Sequence, residues 1–87
     1  MESELALNVY PVPANDFIYI KFNQVDTGRI TYELYNNTGI KVIDKTTNYQ
    51  PLMQLNISDI PSGIYYLKIF QTSSKNQLSN IKKVIKQ

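Results

Sequence analysis

Apolar and polar residues alternate along this chain in short runs, and turn residues separate the runs. Leu5, Leu7 and Val9 share one face of a first run that ends at Tyr10. Pro11 and Pro13 stop it, because proline brings no N–H to a strand ladder. Asn15-Asp16 reads as a turn pair suited to local Asx hydrogen bonds. Phe17 to Phe22 is nearly continuous in apolar residues and predicts an interior strand. A polar link runs from Asn23 to Gly28. Beyond it Ile30, Tyr32 and Leu34 alternate with Thr31, Glu33 and Tyr35, the pattern of a half-buried strand. Asn36-Asn37-Thr38-Gly39 predicts a hairpin turn, with Gly39 and the Asn pair able to take positive φ. Ile40 to Asp44 is the return strand, and Lys45 to Pro51 a polar connection.

The second half repeats the pattern. Met53, Leu55 and Ile57 share one face of a strand that starts at Leu52. Ser58 to Gly63 is a tight corner. From Ile64 to Phe70, Tyr65, Leu67 and Ile69 alternate with Ile64, Tyr66, Lys68 and Phe70, which predicts a strand covered on both faces. Gln71 to Gln77 is a polar turn, and Leu78 to Ile85 the last strand. Its register has two readings. Plain alternation puts Ile81, Lys83 and Ile85 on one face and Lys82, Val84 and Lys86 on the other. A bulge near Lys82-Lys83 would turn Ile81 and Val84 inward together. No stretch carries a helical apolar stripe with caps. The expected fold is all-β, a seven-stranded antiparallel immunoglobulin-like β-sandwich. A small closed barrel is the alternative. Residues 1–4 read as a linker or an added start, and residues 5–87 as one domain.

Composition narrows the chemistry more than the fold. The chain has 87 residues and no Cys, so its core must hold a small domain together without disulfides. It also has no His. Zinc sites of Cys and His, thiol nucleophiles, Ser-His-Asp triads and iron–sulfur clusters are excluded within it. With 43% hydrophobic and 18% charged residues and a net charge of +2, the chain is apolar enough to fold. That charge is too small to argue for nucleic acid. No apolar run approaches the roughly 20 residues of a membrane-spanning helix. Met1-Glu2-Ser3-Glu4 is acidic where a signal peptide is basic.

Candidate sites are few. The carboxylates Glu2, Glu4, Asp16, Asp26, Glu33, Asp44 and Asp59 are scattered over turns and tips, and read as solvated groups rather than a hydrolytic pair. Asn15-Asp16 lacks the spaced carboxylates of a calcium loop. Gly28, Gly39 and Gly63 make no phosphate-cradling loop. No cofactor or metal is expected, and the chain does not read as an enzyme. Asn36-Asn37-Thr38 and Asn56-Ile57-Ser58 match the glycosylation sequon. Tyr35 and Tyr49 read as strand-face and loop residues, with a sugar-stacking platform as the sharper alternative. Lys75, Lys82, Lys83 and Lys86 stand in an acid-free C-terminal stretch. Such lysines protect a sheet edge from aggregation. They equally suit a strand presented to a partner.

Four stretches, in order, tilt that balance. Tyr10-Pro11-Val12-Pro13-Ala14-Asn15-Asp16 is similar to a Tyr-Pro-Asn-Pro-Ala-x-Asp opening. Asn36-Asn37-Thr38-Gly39-Ile40-Lys41-Val42 is similar to a polar hairpin leading into a Lys/Val strand. Leu55 to Ile69, through Gly63-Ile64-Tyr65-Tyr66-Leu67, is similar to a Leu-x-x-Gly-Ile-Tyr-x-Leu stretch. Lys82-Lys83-Val84-Ile85-Lys86 is similar to a Lys-rich terminal strand. Together they resemble the C-terminal sorting domains of the type IX secretion system of Bacteroidetes, from about Leu7 to the end. Val12 departs from the usual Asn, Asn36 and Asn37 stand where Asp is frequent, and Gln87 follows the terminal Lys.

The resemblance implies a transport role. Such a domain follows a secreted cargo that enters the periplasm by a signal peptide. It is then read by the outer-membrane translocon and its shuttle protein, and a surface sortase typically removes it. The cargo ends on the cell surface or outside the cell. Cleavage is expected near or before Leu5. Gly63, Tyr65, Leu67, Lys82, Lys83, Val84, Ile85 and Lys86 are the expected recognition residues. Pro11, Pro13, Ala14, Asn15, Asp16 and Gly39 are the expected structural motif. An exposed edge strand also permits a dimer. The competing reading is a β-sandwich carbohydrate-binding or adhesive module of a secreted protein, with a plain spacer domain behind it.

Overall fold

The computed structural model describes residues 3–4, 7–23, 28–72 and 77–87. Leu5, Asp26 and Lys75, and with them Glu2 and the expected cleavage position, lie outside the described residues. The strands are β1 (Ser3–Glu4), β2 (Leu7–Tyr10), β3 (Phe17–Phe22), β4 (Arg29–Asn36), β5 (Lys41–Asn48), β6 (Leu52–Asn56), β7 (Gly63–Thr72) and β8 (Gln77–Lys86). They form a five-stranded sheet in the order β1-β8-β7-β4-β5 and a three-stranded sheet in the order β2-β3-β6. The seven expected strands are all present, and every pairing among them is antiparallel. The two sheets stay separate, so the sandwich holds and the barrel does not. The short β1 is an addition. Ser3–Glu4, placed ahead of the domain on sequence, pairs in parallel with β8 at Leu78 and Ser79.

The core follows from the period of two. Ile18, Ile20 and Phe22 of β3 and Met53 and Leu55 of β6 point inward from the small sheet. Ile30, Tyr32 and Leu34 of β4 and Tyr65, Leu67 and Ile69 of β7 face them from the large one. Each such side chain contributes about 1.5–3 kcal/mol by leaving water. Leu7, Ile57 and Val84 complete the layer, with Val9, Ile43, Tyr49 and Ile60 packed at its rim. Proline ends β2 where expected, and the bonds Tyr10-Pro11 and Val12-Pro13 are both cis. The hairpin after β4 closes through the Gly39 N–H to the Asn36 carbonyl at 3.0 Å. Gly39 has φ +89°, and among the described residues only glycines take positive φ, so Gly39 rather than the Asn pair supplies it.

Four expectations need correction. β3 is central in its sheet, but only one face is buried; Phe17 lies on the outer face, where no further layer covers it. β5 continues to Asn48, through residues read as a connection. It is an edge strand with little to bury, so it lacks the apolar alternation that marks a strand in sequence. The β-branched Thr46 and Thr47 suit it, and the Thr31 and Thr46 hydroxyls meet across the ladder at 2.9 Å. β7 runs on to Thr72, and Gln71, read as turn, is buried. Its outer face, with Ile64 and Tyr66, is exposed rather than covered.

The fourth concerns β8. Its register with β7 is unbroken from Gly63↔Lys86 to Thr72↔Gln77, so the bulge near Lys82-Lys83 is absent. Plain alternation holds: Val84 is fully buried, and Ile81 is 62% exposed. The sheet's irregularity falls between Leu34 and Tyr35 instead.

The core makes one prediction and the Pro61–Gly63 corner another. Leu67→Ala, which empties a fully enclosed site, is expected to cost about 2–5 kcal/mol in urea unfolding. Gly63 has φ +154°, a region reached essentially by glycine alone, and the nearest atom to an added Cβ is Tyr65 Cε1 at 3.9 Å. Gly63→Val therefore has room but the wrong backbone. It is expected to lose more than about 1 kcal/mol by the same measurement.

Candidate interaction surface

The expected recognition residues sit on the β7–β8 ladder, and the ladder splits them. Tyr65, Leu67 and Val84 are buried in the sandwich. They hold the strands in place and offer no side chain to a partner. Tyr65 also ties down the corner before β7, donating its hydroxyl to the Pro61 carbonyl at 2.6 Å. Lys83 and Ile85 are exposed on the outer face of the large sheet, where Lys83 lies opposite Tyr66 and Ile85 opposite Ile64. Lys82 and Lys86 are half-buried on the other side of β8, and Gly63 is half-buried at the start of β7.

The Pro-Ala motif meets the same strand. Ala14 is fully buried and bridges Lys86 in parallel. Its N–H donates to the Ile85 carbonyl at 2.7 Å, and its carbonyl accepts the Gln87 N–H at 2.8 Å. Asp16 also works through its backbone, its carbonyl accepting the Ile57 N–H at 2.8 Å. Pro11, Pro13 and Asn15 are exposed around this clamp. The first motif and the last are thus one site in space, with Ala14 and Lys86 72 positions apart in the chain. Sequence reading named both and missed that they touch, because a single parallel bridge leaves no periodic signal.

The outer face of the large sheet carries a shallow groove of about 400 Å³, lined by Tyr35, Asn36, Asn37, Gly39, Tyr66, Lys68 and Ile81. Beside it Lys41 binds two carboxylates, Glu33 at 3.0 Å and Asp44 at 3.2 Å. Tyr35 donates its hydroxyl to the other oxygen of Glu33 at 2.9 Å. The Lys41 and Tyr35 hydrogen bonds hold the Glu33 carboxyl below its usual range. The same contacts raise Lys41 and Tyr35. Burial raises the Tyr32 phenol. Among the described residues, Glu33 and Asp44 are carboxylates brought face to face across the ladder, and Lys41 bridges them. No cluster of metal-ligating side chains forms among the described residues.

Other candidates separate. Tyr35 borders the outer groove, but Tyr49 packs its ring on Phe22 at 5.3 Å between centroids, so the two make no common platform. The stacked aromatic pair is Tyr10 and Tyr19, at 5.7 Å on the small sheet. Both sequons are turn devices. Asn36 Oδ1 accepts the Thr38 N–H at 3.0 Å and the Thr38 hydroxyl at 2.8 Å. Asn56 Oδ1 accepts the Ser58 N–H at 2.8 Å and the Ser58 hydroxyl at 2.7 Å. The Asn-x-Ser/Thr spacing is what an Asx turn needs. The Asx geometry expected at Asn15-Asp16 occurs at these two places.

Comparison with known proteins follows this geometry. The family model described as "Secretion system C-terminal sorting domain" matches residues 8–87. A crystal structure of dimeric latent PorU from Porphyromonas gingivalis is similar, with TM-score 0.69 and 18% identity over 92% of this chain. The chain spans 9% of that protein's length, and at this identity the likeness is one of fold. No curated protein sequence matches the chain.

The Lys41 bridge makes a pH prediction. The Glu33 pKa is depressed in the folded state, so its stabilisation is present above the unfolded pKa and lost as pH falls through the folded one. Lys41→Ala is expected to raise the Glu33 titration midpoint, followed by NMR of the side-chain carboxyl. An unmoved midpoint would assign the depression to other groups.

Proposed function

The chain belongs to the family of secretion system C-terminal sorting domains, the signals of type IX secretion, and on that premise we propose how this one works. It is an export label for a cargo that lies upstream in the whole protein, and it directs that cargo toward the cell surface or the extracellular space. Its readers are the outer-membrane translocon and a shuttle protein, met in the periplasm, and a surface sortase then removes it near or before Leu5. The exposed lysine-bearing strand β8 is the surface read. The observation that carries this is the coincidence of the family match, which runs through Gln87, with a terminal strand whose Lys83 and Ile85 face solvent.

The role needs no chemistry in the domain itself. It asks for a rigid shape that survives folding in the periplasm and a surface that other family members share. The small disulfide-free core supplies the first. No helix among the described residues is long and apolar enough to cross a membrane.

The test is a secretion assay. Residues 5–87 are fused behind a signal peptide and a fluorescent reporter, in a type IX-competent Bacteroidetes strain and in a translocon-null strain. Reporter on the surface or in the medium of the competent strain alone is the expected result. Reporter held in the periplasm of both, with the domain folded, would end the sorting reading.

A further inference from the structure

We propose that the open edge of β8 from Ile81 to Val84 is a strand-addition site, and that its occupant is an extended segment of another protein with two adjacent acidic residues between apolar ones. The proposal rests on the sorting reading and specifies the partner chemistry of the same strand. The edge comes from the topology. β8 is flanked by β7 on one side, and β1 covers only Leu78 and Ser79 on the other. Ala14 closes the far end at Ile85 and Gln87. Between these two clamps, Ile81 to Val84 has no strand partner on that side among the described residues. Lys82 and Lys83 guard this edge against like-charged strands, and leave its backbone groups to a strand of opposite charge.

The backbone there is available. The Ile85 carbonyl and the Gln87 N–H point away from β7, since Ala14 binds them. Backbone groups alternate sides along a strand, so the N–H and C=O of Ile81 and Lys83 point to the same open side. Four residues span about 13 Å, enough for a short added strand held by the Ile81 and Lys83 groups.

Charge chooses the occupant. The window reads Ile81-Lys82-Lys83-Val84. A second copy pairing antiparallel about Lys82 would set Lys82 against Lys82, and one centred on Lys83 would set Lys83 against Lys83. Like charges directly opposite are destabilising. An acidic residue opposite Lys82 and another opposite Lys83 reverse the sign. Successive residues of a strand face opposite sides, so the two acids stand next to each other in the partner sequence. The carboxylates nearest the outer face, Glu33 and Asp44, are already bound by Lys41, so no ion pair with Lys82 or Lys83 has to break.

The test separates this edge from the sorting reading. Lys83→Pro removes an N–H that points away from β7, so the β7–β8 ladder keeps its bonds while addition is blocked. In the fusion assay run with residues 1–87, which keeps β1, Lys83→Pro is expected to lower export at least about tenfold with the melting temperature of the 87-residue chain unchanged. The double variant Lys82→Glu/Lys83→Glu, which leaves the backbone alone, is expected to do the same. A six-residue peptide with two adjacent glutamates between valines should move the Ile81 and Lys83 amide resonances, and its lysine counterpart should not. Folded Lys83→Pro and Lys82→Glu/Lys83→Glu that export within about twofold of the parent would overturn the edge proposal and leave the sorting reading standing. Failure of the unsubstituted domain to export would overturn the sorting reading instead. Self-association of the parent chain in sedimentation, lost in Lys83→Pro, would hand the edge to a second copy and overturn the acidic partner.

Discussion

Everything in this domain hangs on β7. It lies between β4 and β8, pairs along its whole length with the latter, and turns Tyr65, Leu67 and Ile69 into the core. The chain has no disulfide to fall back on. The small sheet can bury Ile18, Ile20 and Leu55 only because that face of β7 and β4 stands opposite. Tyr65 then fixes the corner that feeds the strand, through its bond to Pro61. Placing β7 places β8 as well, residue for residue. A terminal strand of mixed Lys and Ile, with no strong pattern of its own, thereby acquires one definite register.

That register divides labour within a few residues. Val84 points in and anchors the strand, while Ile81, Lys83 and Ile85 point out. Ala14 locks the end of the strand by two backbone bonds, which draws the N-terminal proline turn against the C-terminus. A sorting signal gains from this. On the proposed reading its outermost residues are presented on a rigid strand rather than a loose tail, so less ordering entropy is lost on recognition. The acidic groups on the large sheet are occupied by Lys41 and Tyr35. Lys82 and Lys83 form no ion pair among the described residues.

Most strands were legible because one face of each is buried. Period-two alternation in Ile30–Leu34, Met53–Ile57 and Tyr65–Ile69 is the direct imprint of a sheet face against a core. Pro11, Pro13 and Gly39 mark turns for local reasons of backbone geometry. Where burial does not act, the signal fades. Thr46, Thr47 and Asn48 belong to an edge strand held by backbone bonds, and their side chains say little. Gln71 reads as a turn residue, yet the ladder carries it into the interior. The sequons look like modification sites until Asn36 and Asn56 are seen turning the chain.

The sequence by itself determined the class of fold, the seven main strands without all their ends, and the membership of a family of export labels, because alternation, turn residues and the order of four motifs are local or linear properties. Tertiary structure alone decided the rest. Whether Ile81 or Lys82 faces inward depends on hydrogen bonds to β7, since both faces of β8 carry Ile or Val beside Lys. That Tyr65, Leu67 and Val84 are buried, while Lys83 is offered to solvent, follows from the sheet that packs beneath them. The clamp of Ala14 on β8 and the open edge beside it join residues distant in the chain, and such contacts exist only once both sheets have folded together.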